Sequence, residues 1–278
     1  MDKYEVKEGL GAVPSLAKEI EYMAFADNDE LNSIIIPNSV ISIGINAFGN
    51  CKNLRSIVIP DSVSTISEFA FYGCTSLSDL ILPKSVKYIG DEAFTDCASL
   101  THITIPASVE EIGEMVFAGC VGLNSIIVSE KNKHYDSRGN CNAIIETATG
   151  RLIAGCATTI IPDDVVEICD YAFAWHTGLK SISIPNNVRK IGSLAFWGCE
   201  SLTSLVIPNS VEIIEERAFV DCKSIETITL GSGISSLATN AFELCKSIKK
   251  IIVPRGMMDV YRKMLPKELG SLIVIGEK

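Results

Sequence analysis

The chain has 278 residues, is 47% hydrophobic and 7% aromatic, and carries a formal net charge of −10. Because nucleic acids and anionic membranes bind clustered Lys and Arg, this acidic balance argues against both as partners. No apolar run reaches the roughly 18 residues of a membrane-spanning helix, so we expect no membrane insertion. Residues 1–8 lack the apolar segment of a signal peptide, which leaves open a cytoplasmic protein or a surface protein whose signal has been removed.

A phrase of 23 residues recurs along most of the chain and reads Leu-x-x-Ile-x-Ile-Pro-x-Ser-Val-x-x-Ile-Gly-x-x-Ala-Phe-x-x-Cys. A fixed period of this size predicts a solenoid, in which each turn buries its apolar face against its neighbours. We therefore expect one elongated domain with a spine of phenylalanines. The phenylalanines that keep the step are Phe25, Phe48, Phe71, Phe94 and Phe117, then Phe173, Phe196, Phe219 and Phe242.

One turn, residues 54–74, shows what the repeat predicts locally. Ile57-Val58-Ile59 is β-branched and alternates between buried and exposed positions, which favours a short strand. Pro60 ends that strand because proline has no N–H to donate. A second short extended segment ends at Ile66, and Phe71 then follows in a compact turn or short helix that fills the widest part of the core.

The phrase resembles the leucine-rich repeat and is most similar to its BspA-type subclass, with the pattern IPxSVxxIGxxAFxxC, from about Val13 to Pro254. The resemblance implies an α/β solenoid, a right-handed coil with a concave parallel β-sheet and with short strands and short helical turns on its other sides. It also implies an N-terminal cap with a truncated first repeat at 1–30, repeats over 31–256 and a C-terminal cap at 257–278.

Seven of the ten cysteines follow the repeat phenylalanine by three residues: Cys51, Cys74, Cys97, Cys120, Cys199, Cys222 and Cys245. In adjacent turns they share one lattice position about 4.8 Å apart, and their side chains should point the same way. We expect a ladder of buried, reduced thiols. A disulfide, which the spacing allows, and a metal site, for which no CxxC pair is present, are the alternatives.

The largest break in the repeat is an insertion at 129–161. Residues 143–146 and 151–154 flank a short Thr-Ala-Thr-Gly segment, which predicts a β-hairpin. Two interpretations are open: a binding finger that displays His134, Tyr135 and Arg138, or a structural device that spans an enlarged turn.

Apolar residues near the two ends predict the caps of the solenoid. At the C-terminus, Val260, Tyr261, Met264 and Leu265 have helical spacing and are expected in the core, before a last strand at 272–275. At the N-terminus, Leu16, Ile20 and Met23 are assigned to the truncated first turn.

Two columns of side chains are predicted on the exposed face of the longer strands. The first column contains Ser33, Ser56, Asp79, His102 and Ser125, followed by Ser181, Ser204, Thr227 and Lys250. The second contains Ile35, Val58, Ile81, Thr104 and Ile127, followed by Ser183, Val206, Thr229 and Ile252. A contiguous exposed apolar stripe is typical of a binding surface, although β-branched residues also favour strands for local reasons.

Asp79, His102 and Ser125 lie in successive turns and are the residue types of a catalytic triad, which is defined by geometry. Since the amides of a flat strand face are committed to the sheet, they could not serve as oxyanion donors. We therefore expect a polar surface with an Asp79–His102 hydrogen bond. No phosphate-binding or zinc-protease motif is present, so no cofactor or metal is expected.

The family resemblance implies a non-enzymatic recognition or adhesion protein that is surface-associated or secreted in a microbe. We expect it to bind a protein or glycan partner, such as host extracellular matrix, through the N-terminal half of the concave sheet, with no nucleic acid. The candidate contact residues are Ser33, Ile35, Val58, Asp79, Ile81, His102, Thr104, Ser125 and Ile127, and then His134, Tyr135 and Arg138. The alternatives are a rigid spacer of a larger surface protein and a hydrolase that uses Asp79, His102 and Ser125.

Overall fold

The computed structural model describes residues 4–276 and divides the chain into two compact units, residues 1–137 and 138–278. Residues 1–3 and 277–278 of the predicted caps lie outside the described part. Both units are β-solenoids made of short strands. In each described turn a longer strand and a two-residue strand generally alternate along the chain.

The strands of the first unit are short and numerous. They are β1 (Glu5–Lys7), β2 (Leu10–Ala12), β3 (Glu19–Ile20), β4 (Ser33–Ile35), β5 (Ser42–Ile43), β6 (Ser56–Val58), β7 (Thr65–Ile66), β8 (Asp79–Ile81), β9 (Tyr88–Ile89), β10 (His102–Ile105), β11 (Glu111–Ile112), β12 (Ser125–Val128) and β13 (Tyr135–Asp136). The longer strands form two parallel groups, β2-β4-β6-β8 and β10-β12, and the two-residue strands form the parallel sheet β3-β5-β7-β9-β11. Hairpin partner β1 adds an antiparallel edge to β2.

On β2, β4, β6 and β8 the middle residue of the strand is buried and the residue that follows it is exposed. Ile57 is buried between exposed Ser56 and Val58, and Leu80 is buried between exposed Asp79 and Ile81. This alternation is the period of two that a half-buried strand produces. It sets one row of side chains in the core and another row on the surface, as the repeat predicts.

The repeat phenylalanines form a parallel stack inside each unit, which confirms the predicted spine within each unit. In the first unit the rings of Phe71 and Phe94 have centroids 5.4 Å apart, and those of Phe94 and Phe117 are 5.7 Å apart. In the second unit Phe173 and Phe196 stack at 4.9 Å.

The repeat cysteines line the same core, and all ten cysteines are buried and free. Each repeat thiol donates a hydrogen bond to the carbonyl oxygen of the phenylalanine 26 residues earlier, for example Cys74 to Phe48 at 3.0 Å and Cys97 to Phe71 at 3.3 Å. Burial raises the pKa of Cys51 to about 12, and that of Cys97 well above its usual value. The thiol side chains thus point the same way in successive turns, as predicted, and each donates a hydrogen bond to a backbone carbonyl of the preceding turn.

The predicted short helical turns are hydrogen-bonded turns in the structure. At Phe69 the backbone is left-handed, with φ 57°, so that an α-helix cannot continue through it. The amide of Phe71 then donates to Ala93 in the next turn at 2.8 Å. Amides that would close a helix are therefore used to join successive turns of the solenoid.

The second unit begins with a 3₁₀ segment, Arg138–Asn140, and ends with the only α-helices of the described residues, α1 (Met258–Met264) and α2 (Lys267–Gly270). Its strands are β14 (Ala143–Glu146), β15 (Arg151–Gly155), β16 (Glu167–Ile168), β17 (Lys190–Ile191), β18 (Ser204–Val206), β19 (Ile213–Ile214), β20 (Thr227–Thr229), β21 (Ser236–Leu237), β22 (Lys250–Val253) and β23 (Ile273–Ile275). Strands β14 and β15 form the predicted antiparallel hairpin. From β15 a parallel ladder continues as β16-β17-β19-β21, and a second sheet has the order β18-β20-β22-β23.

Two local predictions for the second unit are corrected. Residues 181–184 form no strand, although Ser183 is exposed as expected. In the C-terminal segment Tyr261 and Leu265 are buried and Met264 packs against the core, but Val260 is 37% exposed. Consecutive residues of a helix are about 100° apart around its axis, so Val260 lies at the edge of the face that Tyr261 and Leu265 bury.

Candidate recognition surface

The exposed face of the longer strands in the first unit carries a row of apolar side chains. Ile35, Val58, Ile81 and Ile127 are 70%, 78%, 80% and 52% exposed. Register pairing places Ile35 beside Val58, Val58 beside Ile81, and Thr104 beside Ile127. We call these four apolar residues the apolar stripe. The predicted outward orientation is therefore correct at each of them.

The neighbouring polar column contains the three residues of the hypothetical triad, and the structure does not assemble them. His102 is the register partner of Ser125 on β12, whereas Asp79 lies on β8, at the edge of a different sheet. Among the described residues no hydrogen bond joins Asp79 to His102, so that prediction was wrong. The Nδ1 atom of His102 instead lies 3.3 Å from the hydroxyl of Thr101. Ser33 begins β4 in the same column and is half-buried.

A groove of about 560 Å³ opens where the sheet that ends with β8 meets the pair β10-β12. Its lining residues come from β8, from β10, and from the segments that follow β8, β10 and β12: Leu80, Ile81, Leu82, Lys84, His102, Thr104, Pro106, Ala107, Ser129 and Lys131. We call it the unit-1 groove. It brings three predicted residues, Ile81, His102 and Thr104, together with two lysines that were not among the candidates.

Lys84 could have been recognised from the repeat. It occupies the position after the repeat proline, where the other turns that keep this proline carry Ser15, Asn38, Asp61, Ala107, Asp163, Asn186, Asn209 and Arg255. Its backbone amide donates to the Asp61 carboxylate at 3.1 Å, which fixes the start of its turn. Lys84 could therefore have been noticed because it is basic at a repeat position where most other turns carry a neutral or acidic residue.

The insertion supplies the other lysine, and its first residues are anchored to the first unit. The amide of Ser129 donates to Ile105 O at 2.9 Å. The side-chain amide of Asn132 donates to Pro106 O and Val109 O at 2.9 and 3.0 Å, and its oxygen accepts from the amides of His134 and Tyr135. These bonds hold the segment that carries Lys131 against the turn that follows β10.

The three secondary candidates do not form an exposed finger. Tyr135 is only 7% exposed, and its hydroxyl accepts a hydrogen bond from the amide of Ile112 at 3.2 Å. At Tyr135 the structure therefore contradicts the binding-finger interpretation and agrees with the structural one, because the side chain is buried and bonded to the preceding turn. Arg138, in the second unit, forms an ion pair with Asp164 at 2.5 Å. His134 is exposed.

The corresponding face of the second unit is more polar. Val206 is exposed on β18, and its register partner on the next strand is Thr229. Both line a groove of about 680 Å³, together with Asn186 and Asn209. The same lattice position thus presents Val58 and Ile81 in one unit but Val206 and Thr229 in the other.

Within residues 4–276 no cluster of three or more His, Cys, Asp or Glu could hold a metal ion. No helix in this part of the chain has the length and apolar character needed to cross a membrane.

The chain matches one family of repeat proteins and is similar to several solved structures. The family model of the BspA type leucine rich repeat region matches residues 18–143 and 155–267, with six copies. A search of curated proteins gives no match. Among solved structures, a leucine-rich repeat protein from Eubacterium ventriosum is 23% identical with a TM-score of 0.77, over 89% of this chain and 66% of that one. This chain therefore spans slightly less than two thirds of that protein.

Two further solved structures are similar. A leucine-rich repeat protein from Bacteroides ovatus is 27% identical with a TM-score of 0.62, over 90% of this chain and 69% of that one. A leucine rich cell surface protein from Faecalibacterium prausnitzii is 21% identical with a TM-score of 0.50, over 93% of this chain and 90% of that one.

Proposed function

The chain belongs to the BspA-type leucine-rich repeat family, and from this premise we propose that it is a non-enzymatic recognition protein. It binds a protein or glycan partner through the exposed face of the longer strands in its first unit. In the right-handed coil that the family resemblance implies, this face is the concave one. The proposed partners include host extracellular matrix.

The observation that carries this proposal is the apolar stripe. Burying an exposed aliphatic side chain in an interface is favourable by about 25 cal/mol per Å² of apolar surface. Three of its members, Ile35, Val58 and Ile81, are register neighbours on adjacent strands, so a partner could cover them together. Polar groups of His102 and Ser125 flank the row, which is the arrangement of an interface with a desolvated centre and a polar rim.

A surface or secreted location fits this proposal. The similar protein from Faecalibacterium prausnitzii is described as a cell surface protein, and an adhesive face is useful only where a partner can reach it. Tagging the protein in its source cell and testing whether an added protease removes it checks the location. Protection of the tag in intact cells, with loss after lysis, would contradict it.

The binding proposal can be tested with purified extracellular-matrix proteins and a glycan array. The wild-type chain should capture at least one of them, and Val58→Arg with Ile81→Arg should lose that capture. Both side chains point into solvent, so the double variant should keep its circular dichroism spectrum and melting temperature. A folded double variant that binds every partner of the wild type would refute the assignment of the site.

A further inference from the structure

We propose that the unit-1 groove is a subsite for a carboxylate side chain on an extended peptide segment of the partner. This inference rests on the proposed recognition function and names the chemistry of its ligand. Lys84, which follows β8, and Lys131, which follows β12, line the groove and supply its positive charge, and Ile81 and Pro106 supply apolar contact.

The charge of the two lysines is available for a ligand. Neither forms an ion pair with a described residue, and both are exposed. Asp79 and Glu130, the acidic residues nearest in sequence to Lys84 and Lys131, are not among the groove's lining residues, and neither is Asp61, whose carboxylate binds the amide of Lys84. In a chain of net charge −10, two unpaired ammonium groups in one groove form a local site for an anion.

Hydrogen bonds order the backbone on which the two lysines of the groove are carried. The backbone amide of Lys84 donates to the carboxylate of Asp61. Lys131 precedes Asn132, whose side chain makes four hydrogen bonds to neighbouring backbone. A site whose backbone is already ordered loses less conformational entropy on binding. His102 and Thr104 add ring nitrogen and hydroxyl groups on the β10 side.

The lining favours a peptide over an acidic glycan. Sugar rings are commonly bound by exposed aromatic faces, and none of the lining residues is Phe, Tyr or Trp. Leu80, Ile81, Leu82, Pro106 and Ala107 instead form an aliphatic surface that continues into the apolar stripe at Val58. An extended peptide that alternates acidic and aliphatic side chains matches both features, because successive side chains of a strand point to opposite sides.

The test uses a fluorescein-labelled peptide in which Glu alternates with Val, a matched peptide with Gln in place of Glu, and a hyaluronan oligosaccharide as an acidic glycan. Fluorescence anisotropy measures binding of the peptides, and displacement measures binding of the glycan. We expect the Glu peptide to bind at least about tenfold more tightly than the Gln peptide at low salt, with the difference shrinking above about 0.5 M NaCl. Amide shifts in an NMR titration should centre on residues 81–84, 102–106 and 129–132.

The decisive variants are Lys84→Met with Lys131→Met, compared with Lys18→Met and Lys52→Met, two exposed lysines outside the groove that change the net charge equally. The groove pair should weaken the Glu peptide by about tenfold, and the control pair should change it less than about twofold. Equal binding of the Glu and Gln peptides, equal effects of the two lysine pairs, preferred binding of hyaluronan, or no binding of either peptide would overturn the proposal.

The outcome is distinguishable from failure of the proposed function. If Lys84→Met with Lys131→Met retains capture of a matrix partner while Val58→Arg with Ile81→Arg loses it, the recognition face stands and the carboxylate subsite is refuted. If neither pair affects capture, the recognition face itself is refuted.

Discussion

Val58 and Ile81 are register partners on the parallel strands β6 and β8, and both side chains project into solvent. They are 23 residues apart in sequence, one full repeat, so the period of the chain converts a sequence step into direct adjacency. A residue type that recurs at this step becomes a continuous row on the surface. Ile35, Val58 and Ile81 of the apolar stripe form such a row, and this row is the reason for assigning recognition to this face.

Replacing Phe94 by Ala should strongly destabilise the first unit. Its ring is fully buried and stacks on both Phe71 and Phe117. The cost should be about 3–5 kcal/mol, the range for removing a core aromatic side chain. Denaturant melts should show the change, with a broadened or split transition because turns are coupled to their neighbours. A loss under about 0.5 kcal/mol, as at surface sites, would mean that the ring is not in the core.

The repeat cysteines should react slowly with a thiol reagent in the native protein and rapidly after denaturation. Their thiols are buried, and burial raises the pKa of Cys51 and Cys97, which suppresses the reactive thiolate. Counting labelled thiols by mass spectrometry at pH 8 measures this. Rapid native labelling of most repeat cysteines would contradict the ladder.

The stability of the second unit should fall below pH 6.5 because of His176. This residue occupies the lattice position of the repeat cysteines but is a buried imidazole, and burial lowers its pKa to about 4, with the Gly155 backbone opposing the shift. The unfolded chain takes up the proton near pH 6.5 and the folded chain only near pH 4, so stability is fully present above pH 6.5 and is lost between these values. The loss should be about 3 kcal/mol.

The matched control is His176→Cys, which restores the residue of the other turns. Titration of carboxylates is common to both proteins and cancels in their difference. Urea melts at several pH values should show wild type losing stability relative to His176→Cys from pH 7 to pH 4. Parallel curves for the two proteins would show that His176 is not buried as described.

Asn132→Ala should release the start of the insertion without unfolding the first unit. The change removes four hydrogen bonds to backbone groups and should cost about 1–3 kcal/mol. Limited trypsin digestion should then cut faster after Lys131 and Lys133. Asn53→Ala, which removes a single bond to Asp29 O, is the control, and equal digestion of the two variants would refute the anchoring role of Asn132.

Much of the fold could be predicted because the repeat makes every turn a copy of its neighbour. The burial of Ile57 and Phe71, the exposure of Val58 and the position of Cys74 all follow from alternation and period. The form of the turn around Phe69 did not follow, because a left-handed φ at a phenylalanine is opposed by local preference and is imposed by hydrogen bonds to the next turn.

The candidate site could be predicted only in part. The apolar stripe lies on the lattice, so its members were identified from sequence. The groove depends on where the sheet divides, between β8 and β10, and on the path of the insertion, and neither is encoded by the repeat. Tyr135 shows the difficulty, since an aromatic residue outside the repeat has no lattice position from which its burial could be deduced.

The measurement that tests the account most directly compares two matched double variants against one matrix partner by biolayer interferometry. Val58→Arg with Ile81→Arg changes the recognition face of the first unit, and Val206→Arg with Thr229→Arg changes the same register-paired positions in the second unit. We predict that the first pair weakens binding by at least about thirtyfold, as two residues worth over about 1 kcal/mol each would, and that the second pair leaves it within about twofold. Equal losses for both pairs, or a greater loss for the second, would contradict recognition through the first unit.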